Sequence, residues 1–261
     1  MNINLLDFNV SLGRQKPRTI INPGRQCPFC DIDSLTGIID TEDDMILLKN
    51  KYNVLEPSDQ YVLIESSRCD ADIPDYSPEK MYKLIRFGLK HWLAMIASEE
   101  YEGVLFFKNN GPLSGGTISH PHMQIIGLPE VNPELFSMPE EFEGISVRSE
   151  KDIHLNVSTC PRIGFTEINI TCNTEAFIMD EEQIRILASY IQNSIIFIKD
   201  YFSSMTHHSS ISYNIFFYLC NDMIRVKMMP RFPTSPLYIG YGLHLKPSNI
   251  EEIAKKLGEL F

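Results

Sequence analysis

The residues best suited to chemistry lie in one segment, Asn109–Gln124, which reads Asn-Asn-Gly-Pro-Leu-Ser-Gly-Gly-Thr-Ile-Ser-His-Pro-His-Met-Gln. Glycine lets backbone N–H groups turn toward an anion with no Cβ in the way, and the segment holds three glycines: Gly111, Gly115 and Gly116. His120 and His122 follow, and residues two apart on a strand face the same side of a sheet. We therefore expect two imidazoles and Gln124 to line one side of a strand, beside a phosphate-sized nest.

Apolar runs flank this segment, with Gly103–Phe107 before it and Ile125–Ile126 after it. That pattern predicts a strand, a glycine-rich loop and a second strand. Each feature alone is common, because glycine-rich loops are often plain turns and two histidines occur two apart by chance. Their combination at this spacing favours a functional site.

A second cluster of chemistry-bearing residues is Cys27-Pro-Phe-Cys30. Two thiolates at this spacing can chelate one zinc ion from a tight turn. A redox pair or two buried thiols are the alternatives, but a redox pair normally sits where a strand leads into a helix. Here a polar loop, Asp-Ile-Asp-Ser, follows. The six cysteines are expected to be thiols or metal ligands, since disulfide frameworks belong to small secreted domains.

The amino-acid composition restricts the classes of partner that the protein can bind. The chain has 261 residues, 43% of them hydrophobic, and a formal net charge of −11. An acidic balance argues against nucleic-acid binding, which needs a basic surface, whereas a local nest can still hold a small phosphorylated substrate. No run approaches the roughly 20 apolar residues of a membrane span, and no signal peptide is evident. We therefore expect a cytoplasmic protein with no membrane association.

The elements that position these residues recur along the chain. Ser77-Pro-Glu is typical of a helix start, and this helix is expected to run to about Ser98. A second helix is expected from the cap at Asp180 to about Phe202, and a strand pair follows each helix. This repetition predicts an internal duplication, with halves at 1–135 and 136–261. The expected fold class is α+β, with two antiparallel sheets that each carry a long helix.

Further elements are predicted in the second half. Gly164–Ile170 and Tyr238–Leu245 are expected to be strands, and Ser248–Leu260 a terminal helix with a capping box of Ser248 and Glu251. His207 and His208 are expected in a loop.

The Asn109–Gln124 segment resembles the active-site stretch of the galactose-1-phosphate uridylyltransferase family, a branch of the histidine triad superfamily. That family's pattern is Asn-x-Gly-x-x-x-Gly-x-Ser, two residues, then His-Pro-His-x-Gln. The positions in register are Asn109, Gly111, Gly115, His120, Pro121, His122 and Gln124. Thr117 stands where the family usually has serine, and it keeps the hydroxyl.

The resemblance implies a structural zinc site near the active centre. Cys27 and Cys30 match the family's Cys-Pro-x-Cys half-site, and His120 is the expected fourth ligand. The family's third ligand is a histidine, where this chain has Cys69; zinc accepts either residue. Cys69 as a simple buried thiol is the alternative.

The resemblance also implies the activity. His122 is the expected nucleophile in transfer of a nucleoside monophosphate, most readily UMP, from a nucleotide-sugar to a sugar 1-phosphate. Gln124 would donate a hydrogen bond to the phosphoryl group, and phosphate contacts are expected from Asn109, Gly111, Gly115, Gly116, Thr117 and Arg14. For Arg14, which lies in a loosely family-like basic element, a solvated leader is the alternative.

Other functions compatible with the pattern are a phosphorylase or hydrolase acting on nucleotide-sugars or dinucleoside polyphosphates, and a nucleotide-binding module without catalysis. The expected partners are small molecules, with a homodimer as a further possibility.

Overall fold

One ten-stranded antiparallel sheet runs through the whole molecule, and two long helices pack on one of its faces. The computed structural model describes residues 5–22, 24, 26–133, 138–206 and 211–261. His207 and His208, predicted to lie in a loop, fall outside the described residues.

The first half contributes seven strands and two helices: β1 Asp7–Phe8, α1 Val10–Gln15, β2 Ile38–Glu42, β3 Met45–Lys49, β4 Leu55–Glu56, β5 Asp59–Ile64, α2 Pro78–Ala97, β6 Gly103–Asn110 and β7 His122–Leu128. The second half contributes β8 Gly144–Glu150, β9 Ile153–Ser158, β10 Ile168–Glu175, α3 Glu181–Thr206, β11 Ser212–Cys220, β12 Met223–Arg231, α4 Pro236–Tyr241 and α5 Ile250–Gly258. Strands β1 and β4 form a separate two-stranded ribbon.

The strand order of the large sheet has mirror-like regularity: β2-β3-β5-β7-β6 continues directly into β11-β12-β10-β9-β8. Each half repeats one order, and the two copies meet where β6 pairs with β11. The predicted α+β class and duplication are confirmed. The two expected sheets are joined edge to edge into one, because β6 and β11 each offer an unpaired edge to the other.

The two long helices begin where the sequence places them. Ser77 caps α2, its Oγ accepting a hydrogen bond from the Lys80 N–H at 3.2 Å. Before α3, Asp180 and Gln183 bond reciprocally, each side chain accepting from the other's backbone N–H. This is a capping box, which satisfies two backbone donors that the helix leaves free.

The core lies between the sheet and the helices and is continuous across both halves. Trp92 of α2 is fully buried, with ring centroids 5.9 Å from Phe106 of β6 and 6.2 Å from Phe217 of β11. Those two phenylalanines stack at 4.4 Å. Because side chains alternate along a strand, the neighbours of these residues in sequence face the opposite, helix-free side of the sheet. We call that side the open face.

The central hairpins of the two halves differ in their connections. Residues 111–121 join β6 to β7, whereas Asn221 and Asp222 alone join β11 to β12. Both turn residues have positive φ, 51° and 61°, as a tight hairpin turn requires.

Two predicted strands need correction. Gly164–Ile170 enters the sheet only at Ile168, the first residue of β10. Tyr238–Leu245 is not a strand: Pro236–Tyr241 forms α4, and an irregular segment follows. The physical reason is local, since Ser235 caps the helix by accepting from the Leu237 N–H and Gly242 ends it at φ 65°.

The predicted capping box of the terminal helix is also wrong. Asn249 occupies the N-cap of α5 without a side-chain cap hydrogen bond, and the helix begins at Ile250. Among the described residues, no helix is both long enough and apolar enough to cross a membrane.

Candidate active site

Four potential metal ligands converge next to the start of β7: Cys27, Cys30, Cys69 and His120, whose ligand atoms all lie within 4.8 Å of one another. His120 Nδ1 is 3.6 Å from the sulfur of Cys27 and 3.5 Å from that of Cys30. Tetrahedral zinc with Zn–S bonds near 2.3 Å needs ligand-to-ligand separations of about 3.8 Å. A tetrahedral metal ion such as zinc fits this donor set, and Cys69 is part of it.

Backbone groups orient the histidine of the cluster. The His120 Nε2–H donates to the Ser66 carbonyl at 2.7 Å, which directs Nδ1 toward the thiols. The turn around Ser66 is held in turn by Asp44, whose Oδ2 accepts from the Ser66 hydroxyl and from the Ser67 N–H, both at 3.0 Å. Outer-shell contacts of this kind fix the tautomer of a metal-binding imidazole.

The thiols of Cys27 and Cys69 resist ionisation in the absence of a cation. Burial raises the pKa of the Cys27 thiol, and burial together with the neighbouring Cys30 and Cys27 raises the pKa of Cys69 to about 12. Three thiolates therefore need a bound cation to coexist here. A bound zinc ion would supply that positive charge, since a coordinating thiol is deprotonated outright.

His122 is the first residue of β7 and is buried. Its Nδ1–H donates to the His120 carbonyl at 2.8 Å, which leaves Nε2 as the unprotonated ring nitrogen. Burial lowers the pKa of His122 to about 4, so the ring is neutral near pH 7. An imidazole in this tautomer, with a free lone pair, has the form that a nucleophile requires.

The expectation that both histidines share one strand face is corrected. His120 precedes the strand, so its ring points to the thiols while His122 lines a cavity. The ring of Phe29, from the Cys-Pro-Phe-Cys turn, packs edge-on against both imidazoles, at 5.8 Å from His120 and 5.5 Å from His122. The cluster of four potential ligands and His122 are therefore packed together through a shared aromatic side chain.

The cavity beside His122 has a volume of about 280 Å³, and we call it the His122 cavity. Its apolar wall includes Phe29, Leu35, Leu48 and Val62. The polar groups that line it include Lys16, Asn50, Thr117, His122 and Gln124. An apolar wall with a few convergent polar groups is typical of a small-molecule site.

The glycine loop forms one side of this cavity. Gly115 has φ 89°, and a Cβ built there would meet no atom within 4 Å, so its backbone borders open space. Gly111 differs, because a Cβ at its φ of 82° would lie 2.5 Å from the Ser212 hydroxyl of the second half. The Gly116 N–H already donates to Ser114 Oγ at 3.2 Å. Within the described part of the chain, the N–H groups of Gly115 and Thr117 have no such acceptor and stay available to an anion.

The comparisons with known proteins bear on this geometry. Residues 8–131 match the Domain of unknown function (DUF4931) N-terminal domain, and residues 136–261 match the DUF4931 C-terminal domain. A DUF4931 family protein of Bacillus cereus ATCC 10987, known from a crystal structure, is 41% identical, with 86% of this chain and 99% of that chain covered and a TM-score of 0.73.

This chain is a DUF4931 family protein. Beyond the family, it is 28% identical over 118 residues to a galactose-1-phosphate uridylyltransferase of Streptomyces lividans, which covers 44% of this chain and 33% of that protein. The chain therefore matches about a third of that relative's length. An ADP-glucose phosphorylase of Arabidopsis thaliana with bound ADP-glucose shares the fold, with a TM-score of 0.69 at 15% identity over 91% of this chain and 92% of that chain. The resemblance to the galactose-1-phosphate uridylyltransferase family is confirmed.

Two residues predicted to contact phosphate take other positions in this DUF4931 protein. Asn109 lies under the glycine loop, where its Oδ1 accepts from Asn214 Nδ2 at 2.5 Å. Arg14 is exposed in the last turn of α1, whereas Lys16 lines the cavity.

The sequence reasoning missed two supports of the DUF4931 glycine loop. Thr19 Oγ1 accepts from the Ser119 N–H at 2.8 Å and so ties the N-terminal segment to the loop. Asn214 of β11 also donates to the Ser114 carbonyl at 3.1 Å, from the half that carries no His-x-His. The sequence could have indicated Asn214, since it is the only amide side chain in the apolar run Tyr213–Leu219.

Proposed function

We propose that the protein transfers a nucleoside monophosphate, most readily UMP, from a nucleotide-sugar to a sugar 1-phosphate through a covalent intermediate on His122. The observation that carries the proposal is the hydrogen bond from His122 Nδ1 to the His120 carbonyl, which leaves Nε2 for attack at phosphorus. The uridylyltransferase named above and the fold shared with an ADP-glucose phosphorylase support the same chemistry.

The proposed reaction has two displacements at one phosphorus atom. His122 Nε2 attacks the α-phosphorus and forms a P–N bond, while the bond to the bridging oxygen breaks and its electron pair leaves with the sugar 1-phosphate. An oxygen of the second sugar 1-phosphate then attacks the same phosphorus, and the P–N electron pair returns to Nε2.

The surrounding groups have distinct roles in this proposal. The N–H groups of Gly115 and Thr117, with the Gln124 amide and the Lys16 ammonium, would stabilise charge on the phosphoryl oxygens as it develops. Arg14 and Asn109 would act at longer range, Asn109 by supporting the loop. Zinc, bound by Cys27, Cys30, Cys69 and His120, would be structural, keeping the His120 carbonyl in place.

A second candidate is phosphorolysis, in which inorganic phosphate attacks the same intermediate. The fold shared with an ADP-glucose phosphorylase favours it. Adding phosphate or hexose 1-phosphate to the isolated intermediate separates the two reactions.

The test is the mass of intact protein after incubation with UDP-glucose and no acceptor. Wild type should gain one uridylyl group, acid-labile as a phosphoramidate is, and should lose it when a sugar 1-phosphate is added. His122→Gly should gain nothing, while His154→Gly, in β9 of the second half, should behave as wild type. No adduct on wild type, or an adduct that maps away from His122, would contradict the proposal and favour a non-catalytic nucleotide-binding protein.

A further inference from the structure

A second and larger cavity lies where the two halves meet, mainly on the open face of the sheet, and its lining also includes Ile96 of α2 and Tyr101. Its volume is about 490 Å³, well within the range of small-molecule sites. Strands β6, β11 and β12 supply much of its lining: Leu105, Phe107, Phe216, Tyr218, Met229 and Arg231. Polar side chains of Glu102, Asn132 and Arg162 also border it. We call it the junction cavity.

The junction cavity and the His122 cavity share a wall. Phe107 of β6, which lines the first, pairs in register with Gln124 of β7, which lines the second. Side chains of directly paired residues on one face of a sheet have Cβ atoms about 4.5–5.5 Å apart. A ligand in one cavity is therefore a neighbour of a ligand in the other.

Arg231 of β12 is a half-buried cation. Its Nη1 donates to Asn214 Oδ1 at 2.8 Å, and its Nε is buried with no hydrogen-bond acceptor. No carboxylate within the described ranges makes an ion pair with it, and burial lowers its pKa. A desolvated charge is costly unless it is paired, and phosphate is a preferred partner of the guanidinium group.

Asn214 connects this arginine to the glycine loop. The same amide that accepts from Arg231 donates to Asn109 Oδ1 and to the Ser114 carbonyl. The Arg231 end of the junction cavity is therefore the end next to the glycine loop.

The remaining lining suits a sugar. The rings of Phe107 and Phe216 lie side by side, with centroids 6.3 Å apart, and offer an apolar platform. The C–H face of a pyranose packs on such rings, while its hydroxyls bond to planar polar side chains such as those of Glu102 and Asn132. The apolar wall of the His122 cavity can pack against a nucleobase. The junction cavity is therefore available for the sugar phosphate part of the substrate.

We propose that the junction cavity binds a hexose phosphate, with its phosphate toward Arg231 and its sugar ring over Phe107 and Phe216. That the bound hexose phosphate is a substrate rests on the proposed function. The departing and the incoming sugar phosphate then occupy one cavity in turn, while the nucleoside stays in the other.

The experiment is a pair of ligand-observed NMR titrations on the full chain, one with glucose 1-phosphate and one with UMP. Losing a hydrogen bond to a charged group costs affinity by roughly tenfold or more. Arg231→Gln and Phe216→Leu should therefore lower the affinity for glucose 1-phosphate by at least about tenfold and change the affinity for UMP by no more than about twofold. Lys16→Gln should do the reverse, because Lys16 lines only the His122 cavity of the two.

Arg225→Gln is the matched control. Arg225 lies on the same strand and the same face as Arg231, and its Nε is also buried without an acceptor among the described residues. Its guanidinium sits over the Phe142 ring at 5.2 Å, and it does not line the junction cavity, although its paired residue Tyr218 does. It should leave both affinities unchanged.

Three results would overturn the inference. The first is that wild type shows no saturable binding of glucose 1-phosphate, and the second is that Arg231→Gln lowers the affinities for both ligands equally. The third is full displacement of glucose 1-phosphate by UMP. None of these readouts needs turnover. A protein that forms no adduct on His122 but keeps the two independent affinities would refute the proposed function and retain the two-cavity inference.

Discussion

At the scale of single residues, His120 connects the cluster of potential metal ligands to the proposed nucleophile. Its ring faces two thiols, and its carbonyl accepts the hydrogen bond that sets the His122 tautomer. The sequence predicted both histidines and their neighbours, because motif spacing is local information. It could not predict the acceptor for His122, since that acceptor is a backbone carbonyl whose direction depends on the folded loop.

Zinc content should depend on Cys69. Cys69→Ser removes one of four ligands, so we expect zinc per chain to fall below that of wild type in elemental analysis. The thermal midpoint should fall with it, by about 2–4 °C for each kcal/mol of stability lost in a domain of this size. Cys160→Ser, which changes a thiol outside the cluster, is the control. Equal zinc content in both variants would show that Cys69 is only a thiol near a three-ligand site.

The glycine loop gives a second prediction. Gly115→Ala places a Cβ at a φ of 89°, which strains the backbone by roughly 1–2 kcal/mol, and it crowds the surface where phosphate is expected. Gly242→Ala imposes comparable strain at φ 65°, also in open space, far from the cavity. Urea unfolding should show similar destabilisation, whereas UMP affinity should fall in Gly115→Ala alone. Unchanged UMP affinity in a folded Gly115→Ala protein would exclude the loop as an anion nest.

Asp44 gives a prediction about acid stability. Burial opposes its ionisation, but hydrogen bonds from Lys80 and the Ser67 N–H outweigh burial and lower its pKa from 3.8 to about 2. A carboxyl whose folded pKa is depressed stabilises the fold above its unfolded pKa and loses that effect as pH falls through the folded value. The cost of Asp44→Asn, on the order of 1 kcal/mol, should be present at pH 7 and vanish between about pH 4 and pH 2.

The control for Asp44 is its neighbour. Asp43→Asn makes the same charge change and breaks a more exposed pair with Lys83, 2.8 Å apart. Asparagine also tolerates the positive φ of this position. Urea unfolding should show a smaller effect for Asp43→Asn, because its pair with Lys83 is more exposed. Identical profiles would mean that the hydrogen bonds of Asp44 add nothing.

At the scale of elements, a buried ion pair fixes β6 to the end of β5. Lys108 and Glu65 are almost fully buried and bonded to each other, and the Tyr76 hydroxyl donates to the other Glu65 oxygen at 3.0 Å. Removing one partner of such a pair leaves an uncompensated charge and costs about 3–5 kcal/mol. We expect that loss for Lys108→Met in chemical denaturation, against little or no change for Lys83→Met, whose pair with Asp43 is exposed.

A double variant tests whether the isolated charge is the cause. Glu65→Gln in the Lys108→Met background removes that charge while keeping an acceptor for Tyr76. It should recover much of the lost stability. A double variant as unstable as Lys108→Met alone would assign the loss to packing instead.

Elements with strong local signals were predictable, and those governed by context were not. Helices α2 and α3 carry caps and apolar periodicity, and both begin where predicted. Tyr238–Leu245 has alternating apolar residues typical of a strand, yet the Ser235-Pro236 start makes it a helix. Local capping chemistry therefore outweighed a hydrophobic pattern that had no partner strand to pair with.

At the scale of the whole molecule, the two halves share one core and one sheet, so they should unfold together. Trp92 is the single tryptophan and packs against Phe106 and Phe217, one from each half. Its fluorescence therefore reports the junction, whereas far-ultraviolet circular dichroism reports all elements. We expect the two signals to change in one coincident urea transition. Separate midpoints would mean that the halves are independent folding units.

The contribution of the second half to the site was beyond sequence reasoning. Asn214 contacts the glycine loop only because β11 pairs with β6, and the residues it joins are about 100 positions apart. Arg231 is connected to the loop through Asn214. Nothing in the local pattern around Arg231 indicates that partner.

The unequal hairpins have a consequence for the history of the duplication. The connection between β6 and β7 holds the whole glycine-rich loop that we propose binds phosphate, while its counterpart in the second half is the two-residue turn Asn221-Asp222. Point mutations can exchange side chains along β12, but they cannot create backbone amides where no chain exists. The second half could therefore gain a comparable loop, and with it a second anion site, only through an insertion.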